Sequence, residues 1–165
     1  MRWPTEQEEQ LQLLLTALGM SPRGFFMLEH KTPGTRTALC ARLKREAENR
    51  EWRLYQVTLS RVSRQRLADH IANTLTELPA DVVLIPLEPQ GDPIRFFRSL
   101  NLQRESLYDL GAPILFLISR ELYPRFLQTA RDLSTWIAPP YTFELPRPDV
   151  PNLPPPSGDT PPDLA

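Results

Sequence analysis

Two uninterrupted apolar runs, Val82-Val83-Leu84-Ile85 and Pro113-Ile114-Leu115-Phe116-Leu117-Ile118, constrain this chain more than any other feature. A strand with one wet face alternates apolar and polar residues. A run without alternation belongs in a sheet covered on both sides. Around these runs, strand-like and helix-like stretches take turns. Phe25–Glu29 is a short apolar strand, and Thr37–Glu48 carries Leu39, Leu43 and Ala47 on one helical face. Trp52–Leu59 alternates, and Ser63 caps a helix striped by Leu67, Ile71, Leu75 and Leu78. The turn 89–93 opens a helix aligning Phe97, Leu100, Arg104 and Leu107. A helix from about Glu121 to Arg131 follows the Pro113 run, and Tyr141–Leu145 is the last strand. Five strands joined through helices predict an α/β fold, a three-layer, open and mostly parallel sheet.

Ahead of the first strand, Thr5-Glu6-Gln7-Glu8 reads as a capping box, with Leu11, Leu14, Leu15 and Leu18 at helical spacing and Gly19 as the stop. This predicts an amphipathic helix over residues 1–20, available to pack on the domain or on a partner. The α/β domain is expected over 21–146. The 19 prolines crowd toward the end, so residues 147–165 are expected to be a disordered, partly polyproline-II tail.

Residues 30–37, His-Lys-Thr-Pro-Gly-Thr-Arg-Thr, stand where a nucleotide-binding protein of this architecture carries G-x-x-x-x-G-K-[ST]. With Thr37 on the final Ser/Thr, Arg36 takes the place of Lys, Thr35 that of the second Gly, and His30 that of the first. Glycines let the backbone close on phosphates, and Lys reaches between them as a compact charge that Arg does not reproduce. The candidate nucleotide-binding residues are therefore Lys31, Gly34, Arg36, Thr37 and, at the end of the third strand, Glu88. The alternative is a plain strand-to-helix turn with Thr32 or Thr35 as cap. The strand Ile85-Pro86-Leu87-Glu88 brings its acid late, and hydrolysis needs both motifs intact. Ser60, Arg61, Ser119 and Arg120 are the other residues at carboxyl strand ends, where ligands of open parallel sheets bind. Glu29 or Glu88 as the acid of an enzyme is a third reading.

Asn101 and Arg104, three apart on one helix, are expected to hold a neighbouring strand or loop end. Trp136, Tyr141 and Phe143 read as core or interface aromatics. Two histidines and one cysteine assemble no zinc site or catalytic triad. A receiver-type signalling domain needs paired acids, a phosphorylatable Asp and a Lys, and the chain has no such set. A net charge of −1 gives no electrostatic footprint for nucleic acid. No run is long enough to span a bilayer, and no signal peptide is visible. One cysteine and no leader point to the cytoplasm.

Leu100-Asn101-Leu102-Gln103-Arg104, the Pro113–Ile118 strand, Ala130-Arg131-Asp132-Leu133-Ser134-Thr135-Trp136 and Thr142-Phe143-Glu144-Leu145 occur in an order that resembles a bacterial group of NTPase-like domains. In that group an L-N-x-x-R helix precedes an apolar strand, an A-x-D-x-x-x-W segment and a short F-x-F strand. The resemblance covers about Gly24 to Pro146. It is similar to the STAND class of P-loop signalling NTPases, including inactive members, so Asn101, Arg104 and Trp136 become structural motif residues. It implies a P-loop NTPase-like fold in a bacterial signalling or antiphage conflict system. Departures at the Lys, the second Gly and the strand-end acid favour a non-catalytic adaptor or sensor scaffold. Such a scaffold has no cofactor and works by binding another protein, an effector or sensor of the same gene cluster. The alternative is a weak sensor of ATP or GTP with magnesium.

Overall fold

The computed structural model describes residues 2–59, 66–88 and 91–145. The expected cap Ser63, the strand-end residues Ser60 and Arg61, and the proline-rich segment 147–165 lie outside the described residues. The elements in chain order are α1 (Thr5–Met20), β1 (Gly24–His30), α2 (Pro33–Asn49), β2 (Leu54–Gln56), α3 (Leu67–Glu77) and β3 (Val82–Pro86). They continue with α4 (Pro93–Leu102), α5 (Arg104–Tyr108), β4 (Pro113–Ser119), α6 (Tyr123–Thr129), α7 (Arg131–Thr135) and β5 (Tyr141–Phe143).

The five strands form one sheet in the order β2-β3-β4-β1-β5. Every pairing is parallel, with Phe25 opposite Ile114, Leu28 opposite Tyr141, and Val83 opposite Ile114 on its other side. The three-layer open parallel sheet expected from the two apolar runs is the fold: β3 is buried throughout and β4 through Ile118.

Handedness distributes the helices. Only the β1-to-β2 crossover runs toward the β2 edge. The right-handed rule therefore puts α2 on one face and the later crossover helices on the other. The packing follows: Phe25, Met27, Ile114 and Phe116 meet Ile71, Phe97, Leu107 and Phe126. Phe26, Leu28, Leu115 and Leu117 meet Leu39 and Leu43 of α2. One crossover helix is too little to cover its side of five strands, and α1 supplies the remainder. Leu11, Leu14, Leu15 and Leu18 are buried with Trp3 and Phe143 in that same core. The leucine face of α1, a candidate partner surface in the sequence, is thus spent inside the molecule.

Several local expectations are corrected. Thr5 is not a cap but the first residue of α1, with Pro4 before it and no side-chain capping bond. Glu8 does not reach back, because Arg42 of α2 offers a two-pronged guanidinium at 2.6 and 3.0 Å, a stronger charge-assisted arrangement. Gly19 does not stop the helix, which runs on to Met20. A Cβ there would stand 3.6 Å from the Trp52 ring. Leu78 is not part of the α3 stripe but its exposed C-cap. The single helix expected after Pro93 is divided at Gln103, and the one expected over about Glu121–Arg131 is the shorter α6, with a further helix, α7, beginning where it was to end.

Candidate functional site

The strand β1 ends at His30, and α2 begins at Pro33, leaving Lys31 and Thr32 as the whole connection. Helix α2 starts four residues earlier than the Thr37 expected from the sequence. The Thr32-Pro33 pair is the reason: Thr32 Oγ1 accepts from the Thr35 N–H at 3.1 Å, and Pro33 has no N–H to satisfy. The Arg36 N–H goes to the Thr32 carbonyl at 3.2 Å. A phosphate-binding loop needs a run of N–H groups turned toward the anion. Of the first four residues of this helix, only Gly34 keeps an N–H outside such bonds.

The other candidate residues gather at the same carboxyl edge, each on an internal partner. The Arg36 guanidinium pairs with the Glu88 carboxylate, which arrives from beyond β3 across the end of β4. Lys31 Nζ donates to Glu144 Oε2 at 2.7 Å, on the β5 side. Thr37 Oγ1 donates to the Pro33 carbonyl at 3.3 Å within its own helix. Gly34 lies in the first turn of α2, and a Cβ on it would meet only Thr32 Oγ1, at 4.0 Å. The edge is also stitched in the backbone. The Arg120 N–H bonds the His30 carbonyl at 2.9 Å and the Leu87 N–H bonds the Leu117 carbonyl at 2.7 Å. Helices leave β1 and β4 toward opposite faces, which makes this the crevice where an open parallel sheet offers a ligand site.

Three residues at this edge make contacts that the sequence reading did not foresee. His30 is 3 % exposed, and neither ring nitrogen has a hydrogen-bond partner. Its Nε2 lies 4.0 Å from Glu88 Oε1. Burial pushes its pKa below the ordinary 6.5; Glu88 pulls up, Arg36 pushes down, and the nearby Thr32 backbone also pulls up. Thr35 is buried, and its hydroxyl accepts from the Leu145 N–H at 3.0 Å, tying the residues just after β5 to the turn. Glu144 is held below the usual carboxylate range by Lys31. No local pattern announced these contacts; only the Thr-Pro helix start was readable in the sequence.

Glu29 does not join the cluster. It is half-buried on the opposite side of the sheet, close enough to Tyr123 that burial and then the Glu29 charge raise the Tyr123 pKa. Asn101, Arg104 and Trp136 form a separate group. Asn101 Oδ1 accepts from the Leu133 N–H at 2.8 Å and Nδ2 donates to Asp132 at 3.4 Å. Arg104 donates to the Asn101 carbonyl at 2.7 Å and lies over the Trp136 ring. No group of His, Cys, Asp and Glu able to hold a metal occurs among the described residues.

No protein-family profile matches the chain, and no curated protein matches it. Among solved structures it is similar to a DNA replication initiation factor, at 18 % identity with a TM-score of 0.48. The match covers 83 % of this chain and 44 % of that one, so the chain spans less than half the length of that protein.

Proposed function

We propose that this chain is a non-catalytic adaptor or sensor scaffold that acts by binding another protein. In this reading it is a P-loop NTPase-like domain whose anion site is filled by its own carboxylates. The observation that carries it is the double pairing at the carboxyl edge: Glu88 on Arg36 and Glu144 on Lys31. These acids stand on the two cations that a nucleotide would need, above a turn two residues long. The order of motifs from Leu100 to Leu145 supports placing the domain with the inactive STAND-type group, in a bacterial signalling or antiphage setting. Its partner is then an effector or sensor encoded nearby, and it works in the cytoplasm without a cofactor.

Thermal melting with and without ATP and magnesium tests this. A ligand raises the midpoint only by binding the native state. The midpoint is expected to stay fixed, and the product of a neighbouring gene is expected to co-purify. The rival reading is a weak ATP or GTP sensor using Lys31, Gly34, Arg36, Thr37 and Glu88. The partial exposure of both ion pairs favours it, because such pairs exchange readily with solvent anions. An upward shift with ATP and magnesium that Arg36→Ala abolishes would establish that reading instead.

A further inference from the structure

Helix α1 has a second face that the core does not use. Leu11, Leu14, Leu15 and Leu18 turn inward, yet Leu13 is 60 % exposed on the outer side. Thr5, Glu8, Glu9, Gln12, Leu13 and Thr16, spaced three and four apart, line a groove of about 500 Å³ along the helix. At one margin Glu8 is turned to Arg42 of α2. Glu9 is exposed and has no cation in ion-pair range among the described residues. The strand β5 runs beside the same helix. The Thr142 N–H donates to Gln10 Oε1 at 3.3 Å and the Glu144 N–H to Gln7 Oε1 at 3.0 Å, so the chain travels toward the first turn of α1. Leu145 is buried, with its N–H on Thr35 of α2. The chain has thus passed from the β5 side of α1 to its α2 side, where Glu8 borders the groove.

We propose that residues 146–156 turn back over the start of α1 and lie in this groove as a polyproline-II strap. Pro146, Pro148, Pro151, Pro154, Pro155 and Pro156 favour that conformation. Its period of three puts Val150, Leu153 and Pro156 on one face, an apolar strip matched to Leu13. The dimensions agree. Thr5 to Thr16 spans about 17 Å of helix, and Val150 to Pro156 spans about 19 Å of polyproline II. A polyproline-II backbone makes no internal hydrogen bonds, so its carbonyls are open to the Gln12 amide and the Thr5 and Thr16 hydroxyls. Arg147, the one cation between residues 146 and 165, comes two residues after Leu145 and supplies the missing partner of Glu9. The tether sets a local concentration on the order of millimolar, so a contact far weaker than a stable complex holds the segment. Composition alone predicts a free tail; the groove gives its first half a surface to lie on. A partner that reads either surface must then displace the strap. This holds whether or not the chain is an adaptor.

Amide nitrogen relaxation on the full chain reads the strap directly. The amides of Val150, Asn152 and Leu153 are expected to give heteronuclear NOE values near those of α1. Those from Gly158 to Ala165 are expected to give the low values of an unrestrained chain. Leu13→Asp on the helix and Leu153→Asp on the strap are each expected to drop the first set to the second. Unchanged amide positions in the sheet show that the fold is intact in both variants. Arg147→Glu is expected to release the strap as well, and Glu9→Arg added to it to restore the order. Low values at all three amides of the natural chain overturn the proposal. So do high values that Leu13→Asp leaves in place, which seat the segment elsewhere. High values that fall on dilution assign the groove to the tail of a second copy and overturn the strap. A double variant that stays released overturns the pairing of Arg147 with Glu9.

Discussion

Arg36 and Glu88, 52 residues apart in sequence, close the carboxyl edge of the sheet against each other. Their side chains are 33 % and 42 % exposed, so solvent screens the attraction. A double-mutant cycle of Arg36→Ala and Glu88→Ala is expected to give a coupling of at most about 1 kcal/mol. The larger consequence concerns anions. Replacing both acids, Glu88→Gln with Glu144→Gln, frees Arg36 and Lys31. Millimolar pyrophosphate is then expected to raise the melting midpoint of that variant and leave the natural protein unchanged. Equal shifts in both proteins would mean that the carboxylates do not occupy an anion site.

Gly34 separates a working phosphate loop from a plain helix start. In a loop that cradles phosphates, an added methyl group blocks the approach of the backbone. Here Gly34 is the second helical residue with open space around its missing Cβ. Gly34→Ala is expected to be neutral or stabilising by up to about 1 kcal/mol, since alanine gives up less backbone entropy in a helix. Urea unfolding measures it. A loss of stability beyond error would show that the turn needs glycine.

Helix α1 completes one face of the sheet rather than standing apart from it. Leu14 is wholly buried against that face. Leu14→Ala is expected to cost about 2–5 kcal/mol, as for other wholly buried leucines. The loss should appear in a single unfolding transition followed by both tryptophan emission and circular dichroism. A separate early transition for the helix would contradict its place in the common core.

The architecture was legible because burial on both faces leaves a signal in consecutive residues, as at Val82–Ile85 and Ile114–Ile118. Element ends were less so. The stripe of α2 begins at Leu39, but Thr32 and Pro33 start the helix, because a cap and a pre-set φ act where no apolar residue is needed. Thr5 and Glu8 matched a capping box whose Glu was drawn away by Arg42, a residue 34 positions on. The candidate site was half legible. Lys31 and Arg36 were found by their spacing from β1, while Glu144, the partner of Lys31, lies 113 residues away and follows from strand order alone. The burial of His30 was likewise invisible, since the same residue at the end of a strand is exposed when no helix covers it.

Asn101 does for α7 what a local cap cannot. Ala130 precedes that short helix and has no side-chain acceptor, so Asn101 Oδ1 takes the N–H of buried Leu133 from the end of α4. Asn101→Ala leaves that N–H without a partner and is expected to cost about 1–3 kcal/mol. Asn101→Asp keeps the acceptor but sets a charge beside Asp132, and is expected to lie between the two. Denaturant unfolding of the three proteins checks the order. If Asn101→Ala were as stable as the natural chain, Asn101 would not be a structural residue.

His30 should make stability depend on pH in a range where the carboxylates are silent. Burial holds its folded pKa below the 6.5 of an ordinary histidine, and Arg36 adds to this while Glu88 opposes it. Between those two values the unfolded chain binds a proton that the folded chain refuses. Stability therefore rises with pH across that window, is lost progressively as pH falls below 6.5, and levels off below the folded pKa. Glu46, Asp81 and Glu144 have pKa values lowered by their ion pairs, so their contribution is lost only in more acidic solution. Urea unfolding from about pH 7.5 to about pH 5 should show a falling stability that His30→Leu flattens. The leucine also removes two buried ring nitrogens that make no hydrogen bond of ordinary geometry, so it is expected to be no less stable than histidine near neutral pH. A slope that survives in His30→Leu would assign the titration to another group.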